Sequence, residues 1–277
     1  MSLGKRLRHR YYELFDLRRL EQRAQGLHQQ HRGGDELPVV SLTTVPQRIG
    51  QLKPTLVSLL RQTLPPKEIR INLGRDLFRD TPLPSFLDGL ALVRVHWVER
   101  DVGPATKYIP TLERFAGTRQ LIVIVDDDMY YGDRLLADLV AAERASNGAK
   151  VYCANGFNVP ANLQSASRPS DKALASGARR VAIVEGCGGY TLRPQMVDTR
   201  GLRDLTGAPP RALFDDDIWL SGHLSRAKIE KVQIATAKRR SLVNTLESAI
   251  SGDRAQLQTD VMTHFRQDWA PDEIEPV

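Results

Sequence analysis

The stretch Leu121-Ile-Val-Ile-Val-Asp-Asp-Asp-Met-Tyr130 constrains the chain more than any other, because five consecutive apolar residues run straight into three carboxylates. Five β-prone residues without alternation read as a strand buried on both faces, the kind found inside a parallel sheet. Asp126, Asp127 and Asp128 then stand at its carboxyl end, the edge of an open α/β sheet where ligands bind. Three adjacent acids at the mouth of a dry strand repel one another, so a divalent cation is the natural counter-charge. A hard ion held by one or two carboxylates draws its other ligands from substrate phosphates. The same triplet also suits a solvated turn that caps the next helix. The apolar run ahead of it favours the cation.

Around this stretch, strand-like and helix-like segments alternate. Strands are expected at Val39–Thr43, 68–73, 91–98 and 150–154, and helices at about 52–62, 106–115 and 132–144. Right-handed crossovers between parallel strands then predict an α/β fold, a doubly wound, mostly parallel sheet flanked by helices over residues 37–237. Residues 155–180, rich in Ser, Ala and Asn, read as a long loop. Residues 181–192 read as a strand kinked at Gly186, Gly188 and Gly189, where a backbone can approach a ligand closely or bend in a bulge. A second triplet, Asp215, Asp216 and Asp217, opens an apolar-periodic helix that contains Trp219. Acids are favoured at a helix amino terminus, but three exceed what one cap needs. A strand at 229–234 closes the regular part, and 238–277 read as a helical tail carrying His264.

The net charge of +6 is uneven: residues 1–32 hold eight basic residues against three acidic ones, and the remainder is nearly neutral. A neutral body argues against nucleic acid as a partner. Leu3, Leu7, Leu14, Leu17 and Leu20 among arginines predict a basic amphipathic helix over residues 3–25, with 26–37 as a linker. Such a helix suits an anionic membrane surface, the body of the domain or a second copy of the chain. No run reaches the roughly 18 apolar residues that span a bilayer, and no apolar signal core opens the chain, so a cytoplasmic protein, peripheral at the inner membrane face, is the expectation. Two cysteines, Cys153 and Cys187, are too few for a disulfide framework and fit a reducing compartment.

The motifs Ser41-Leu-Thr-Thr-Val-Pro-Gln-Arg-Ile49, Gly103-Pro-Ala-Thr-Lys-Tyr108, Asp126-Asp-Asp128, Glu185-Gly-Cys-Gly-Gly-Tyr190 and Asp215-Asp-Asp-Ile-Trp219 stand in an order that resembles the GT-A fold glycosyltransferases, particularly the family 2-like, nucleotide-sugar-dependent group. The resemblance covers about residues 38–235. It implies that Asp126 and Asp128 hold Mn²⁺ or Mg²⁺ against the diphosphate of a nucleotide-sugar donor, with UDP the default nucleotide. It implies donor contacts from Thr43, Thr44, Arg48, Lys107, Asp126 and Asp127. It lays the family's acidic pair on Asp216 and Asp217, with Asp217 the general base of an inverting transfer. The third Asp leaves the register open by one residue. It also implies acceptor contacts from Gly188, Gly189, Tyr190 and Trp219, and a late metal-ligating histidine at His264, with His223 as the alternative. The expected acceptor is a hydroxyl of a glycan or lipid-linked acceptor, and the basic helix over residues 3–25 suggests that it lies at the inner membrane face, as in envelope polysaccharide or lipopolysaccharide assembly.

Two other readings compete. A nucleotidyltransferase would carry a glycine-rich, basic loop directly after the first strand, and Thr43-Thr-Val-Pro-Gln-Arg48 has no glycine. A non-catalytic module that oligomerises or docks to membranes through residues 3–25 has no need of two acidic triplets.

Overall fold

A computed structural model of the chain describes residues 11, 12, 14–31, 37–168, 174–236, 240–241 and 254–275. The first residues of the expected basic helix, residues 32–36 of the expected linker and part of the expected tail, including Ser251 and Gly252, lie outside the described residues.

The main strands are β1 (Val39–Thr43), β2 (Glu68–Gly74), β3 (Val93–Val98), β4 (Ile122–Ile124), β5 (Val151–Cys153), β6 (Ala178–Arg180), β7 (Tyr190–Leu192) and β8 (Lys231–Ile234). Among the described residues they form one sheet in the order β3-β2-β1-β4-β7-β5-β8-β6. β1 runs parallel to both β2 and β4, with Ser41 opposite Arg70 and Ile124. β4 alternates: Leu121, Val123 and Val125 enter one apolar layer and Ile122 and Ile124 the other. That alternation is why the apolar run shows no polar face.

The helices are α1 (Leu17–Gln30), α2 (Lys53–Leu60), α3 (Ile109–Arg114), α4 (Leu135–Ala145), α5 (Asp216–Arg226) and α6 (Arg254–His264). Buried residues of α1, α2 and α4 belong to the first apolar layer, and those of α3, α5 and α6 to the second. The chain is therefore a three-layer α/β structure. The expected helix over 106–115 is shorter because Pro110, which has no N–H, falls in its first turn, behind a 3-10 turn at Ala105–Lys107.

Three expectations are corrected here. Residues 181–192 are not one kinked strand: Ile183–Val184 pairs with Gly156–Phe157, and after a turn β7 enters the main sheet antiparallel to β4 and β5. Residues 155–180 are not a featureless loop, since Val159–Pro160 pairs with Ile274–Glu275 and β6 forms the sheet edge. The amino-terminal helix runs through Gly26 to Gln30 and packs on the body instead of ending in a linker. Asp16 caps it by accepting from the Arg18 N–H at 2.9 Å. The buried Glu21 carboxylate accepts the backbone N–H groups of Ala91 and Leu92 at 2.9 and 2.6 Å. Tyr12 stacks on Tyr130 with ring centroids 4.0 Å apart. No described helix is long and apolar enough to cross a membrane.

Candidate active site

The carboxyl ends of β1 and β4 lie side by side, so the turn after β4 meets the turn after β1. Asp126 is held from below: its N–H donates to the Gly186 carbonyl at 3.3 Å and to the Tyr131 hydroxyl at 2.9 Å, and that hydroxyl donates to the same carbonyl at 3.0 Å. Asp127 points back at the first turn, where Thr44 Oγ1 and the Arg48 guanidinium donate to its carboxylate. Its backbone carbonyl accepts Thr55 Oγ1 at 2.7 Å. Arg48 Nη2 also lies 3.2 Å from Asp128 Oδ2. Burial pushes the Asp127 carboxyl up to about 6, against the pull of Arg48 and Thr44. Asp128 is raised too, first by burial and then by Asp126.

The second triplet arrives from the other side of the sheet edge. Asp216 and Asp217 form the first turn of α5, whose Ser221 hydroxyl accepts the Val184 N–H at 3.1 Å and ties the helix to the strand before the glycine turn. Gly186 N–H then donates to both Asp217 oxygens at 3.2 and 3.1 Å. Asp215 turns away, 3.6 Å from Arg254 of α6.

Lys107 joins the two triplets. Its ammonium lies 2.9 Å from Asp126 Oδ1, 2.9 Å from Asp216 Oδ2 and 3.2 Å from Asp217 Oδ1, and its side chain is 5% exposed. Burial alone would lower this lysine, yet the carboxylates of Asp126, Asp216 and Asp217 hold it well above its ordinary value. Asp216 and Asp217 are both raised by burial, with Lys107 opposing. The lysine backbone is fixed as well: its carbonyl accepts Ser41 Oγ at 2.6 Å, and Ser41 bonds Thr111 and Asn72 in a buried network beneath β1 and β2.

Several expected contacts fall elsewhere. Thr43 donates to the Asn72 carbonyl at 2.7 Å, within the sheet. Thr44 and Arg48 brace Asp127, and Lys107 is enclosed by carboxylates. Trp219 is 1% exposed and its Nε1 donates to the Leu202 carbonyl at 3.0 Å, which leaves no face for a sugar ring. Tyr190 is fully buried in β7. A Cβ at Gly188 would lie 2.6 Å from the Asn155 backbone nitrogen, and Gly189 has φ +80, so both glycines answer to packing and turn geometry. His264 packs on Phe265 and Trp219 at 4.8 and 5.5 Å between centroids, in a cluster that also holds His223. It does not join Asp126 and Asp128: among the described residues no three His, Cys, Asp or Glu side chains gather as a ligand set.

Sequence reasoning missed Tyr131, and nothing in its spacing marks it. It also missed the buried group of Glu185, Asn155 and Arg168 beside Gly186, where the amide of Asn155 and the guanidinium of Arg168 both reach the Glu185 carboxylate.

The donor set still fits a hard cation. Asp126 gives one oxygen to Lys107 and Asp128 one to Arg48, so each carries a second oxygen, and both side chains are about one quarter exposed, 28% and 25%. Five carboxylates face two cationic side chains here, and Asp127, Asp128 and Asp217 are raised first by burial, with neighbouring carboxylates adding to the rise. A monodentate pair of this kind leaves most of the coordination shell to water and substrate oxygens.

A scan against protein-family models finds no match, and a search of curated proteins finds none. Among solved structures, the chain is similar to the crystal structure of GalNAc-T7 with UDP, GalNAc and Mn²⁺, with a TM-score of 0.50 and 11% sequence identity over 83% of this chain and 50% of that one. The chain thus spans half the length of that structure. At this identity the likeness speaks to the fold, which is of the GT-A type: a mostly parallel sheet, helices on both faces, and acids at the carboxyl edge.

Proposed function

We propose that the chain is a metal-dependent GT-A glycosyltransferase of the family 2-like group, which moves a sugar from a nucleotide donor, with UDP favoured, to a hydroxyl of a glycan or lipid-linked acceptor. The observation that carries this reading is the convergence of two acidic groups from distant parts of the chain, Asp126–Asp128 and Asp216–Asp217, on one sheet edge. A fold that binds ligands at its carboxyl edge gives such a pair two tasks.

Asp126 and Asp128 would hold the cation, which neutralises the leaving diphosphate. Asp217, oriented by the Gly186 N–H and raised by burial, would take the proton of the acceptor hydroxyl. The acceptor oxygen then forms its bond to the anomeric carbon as the bond from that carbon to the diphosphate oxygen breaks. The electron pair leaves with the nucleoside diphosphate, and attack opposite the leaving group inverts the centre.

The acceptor class proposed is a glycan of envelope polysaccharide or lipopolysaccharide assembly at the inner face of a membrane. Leu14, 83% exposed, and Tyr11, 55% exposed, precede α1, in which Arg18, Arg19 and Arg23 are exposed, and this apolar and basic exposure supports that placement.

Asp217→Asn tests the assignment. The variant should lose at least about a hundredfold in turnover, the scale of general-base catalysis, while keeping its affinity for UDP. Wild-type turnover in Asp217→Asn refutes Asp217 as the base.

A further inference from the structure

Lys107 stands where a donor-binding residue was expected, but its surroundings give it another task. An ammonium has three protons. Here three carboxylates surround it at 2.9, 2.9 and 3.2 Å, and 5% of the side chain is exposed. No proton of this group is turned to solvent where a phosphate would arrive. Two further features fix its position: the backbone is bonded to Ser41 beneath β1, and the ammonium sits against Gly186, where a Cβ would lie 2.6 Å from Nζ. Gly186 in turn bonds Asp217 through its N–H and Asp126 through its carbonyl. Lys107 and Gly186 therefore touch each other and the same two acids.

We infer that Lys107 is a positioning residue, an internal cation that ties the acid at the end of β4 to the acids at the start of α5 and so sets the distance between the metal-holding carboxylate and the base. This rests on the glycosyltransferase reading above and adds the residue that couples its two halves. The physical reason is electrostatic. Asp126 after β4 and the pair Asp216 and Asp217 at the start of α5 come from separate elements and repel one another in a poorly solvated site, so they stay together only around a fixed positive charge. A mobile cation would serve both triplets at once and leave their spacing to the substrate. A lysine held at its backbone makes the spacing a property of the fold, and a misplacement of about 1 Å at such a site is worth roughly a hundredfold in rate.

The test compares Lys107→Met and Lys107→Ala with wild type in two assays: release of UDP from UDP-GalNAc and UDP-glucose, and binding of UDP with Mn²⁺ by calorimetry. The inference expects kcat to fall about a hundredfold in Lys107→Met with the Kd for UDP within about twofold of wild type. It also expects ethylammonium to restore turnover to Lys107→Ala in a saturable way, because a small cation can enter the space that the side chain leaves. A tenfold or larger rise in the Kd for UDP makes Lys107 a diphosphate ligand and overturns the inference, as does wild-type kcat in Lys107→Met or a Lys107→Ala that no amine rescues. If wild type releases no nucleoside diphosphate from any donor of a nucleotide-sugar panel and shows no metal-dependent binding of nucleotide, the glycosyltransferase reading falls. The tether is then decided by the crystal structure of Lys107→Met, in which Asp126 and Asp217 move apart if the inference holds and keep their places if it is wrong.

Discussion

Gly186→Ala is the sharpest single perturbation of the proposed site. The backbone at Gly186 lies outside the left-handed region, so alanine can adopt it, and the effect of the substitution is steric alone. The new methyl group would sit 2.6 Å from Lys107 Nζ and against the Asp126 carboxylate. Ordinary contact begins near 3.4 Å, so the ammonium must retreat by about 0.8 Å or the glycine turn must shift by the same amount. Either movement lengthens the contact between Lys107 and Asp126, or swings the Gly186 N–H away from Asp217. Overpacking of this size costs about 1–3 kcal/mol of stability, which a chain of this length tolerates. The loss in rate should be about a hundredfold in kcat, roughly 2.7 kcal/mol of barrier, because both acids are displaced together. UDP release under saturating donor measures the rate, and thermal unfolding measures the fold. A variant with wild-type kcat would refute the view that Gly186 and Lys107 set the geometry of the two acids.

Two further predictions concern stability. Glu21→Ala removes a buried carboxylate from the Ala91 and Leu92 N–H groups and should cost about 3 kcal/mol, since hydrogen bonds to a charged group are worth about 1.5–3 kcal/mol each. In calorimetry that is a fall in Tm of about 6–12 °C, and a shift below about 2 °C would show that α1 is not docked as described. His223 is lowered to about 4 by burial, then by Arg226 and His264. The unfolded chain takes up this proton near pH 6.5 and the folded one not until about 4, so stability is present above 6.5 and lost as pH falls through that window, by at most about 3 kcal/mol. Denaturant titrations of wild type and His223→Gln between pH 4 and 7 should converge toward acid, and parallel curves would contradict this.

Much of the fold was legible because buried parallel strands leave unbroken apolar runs: β1 falls on the expected residues, and β2 and β4 within one residue at each end. The strand between β4 and β5 was not legible as antiparallel, since Tyr190–Leu192 reads the same in either direction and the turn at 185–189 resembles a kink. The docking of α1 was hidden for a similar reason. Its apolar stripe suits a membrane or a protein surface equally, and in the fold Leu17, Glu21 and Ala24 are buried against the body while Tyr11 and Leu14 stay exposed. The acids were legible from their place after an apolar strand and before an apolar-periodic helix. Their counter-charges were not, because sequence shows that Arg48 and Lys107 are near the site in order but not whether they face outward or inward. Trp219 shows the converse: an aromatic residue beside a site suits a sugar contact or a core anchor of its helix, and here it is buried in the core.

The central claim is that the two acidic groups serve a metal-dependent transfer from a nucleotide sugar. The most direct measurement is release of nucleoside diphosphate from a panel of nucleotide sugars, with Mn²⁺, with Mg²⁺ and with chelator, on wild type and Asp128→Ala. The account predicts slow release from at least one donor, abolished by chelator and by the substitution. No release from any donor, with no metal-dependent binding of nucleotide, would contradict it and leave a GT-A fold that serves as a non-catalytic module.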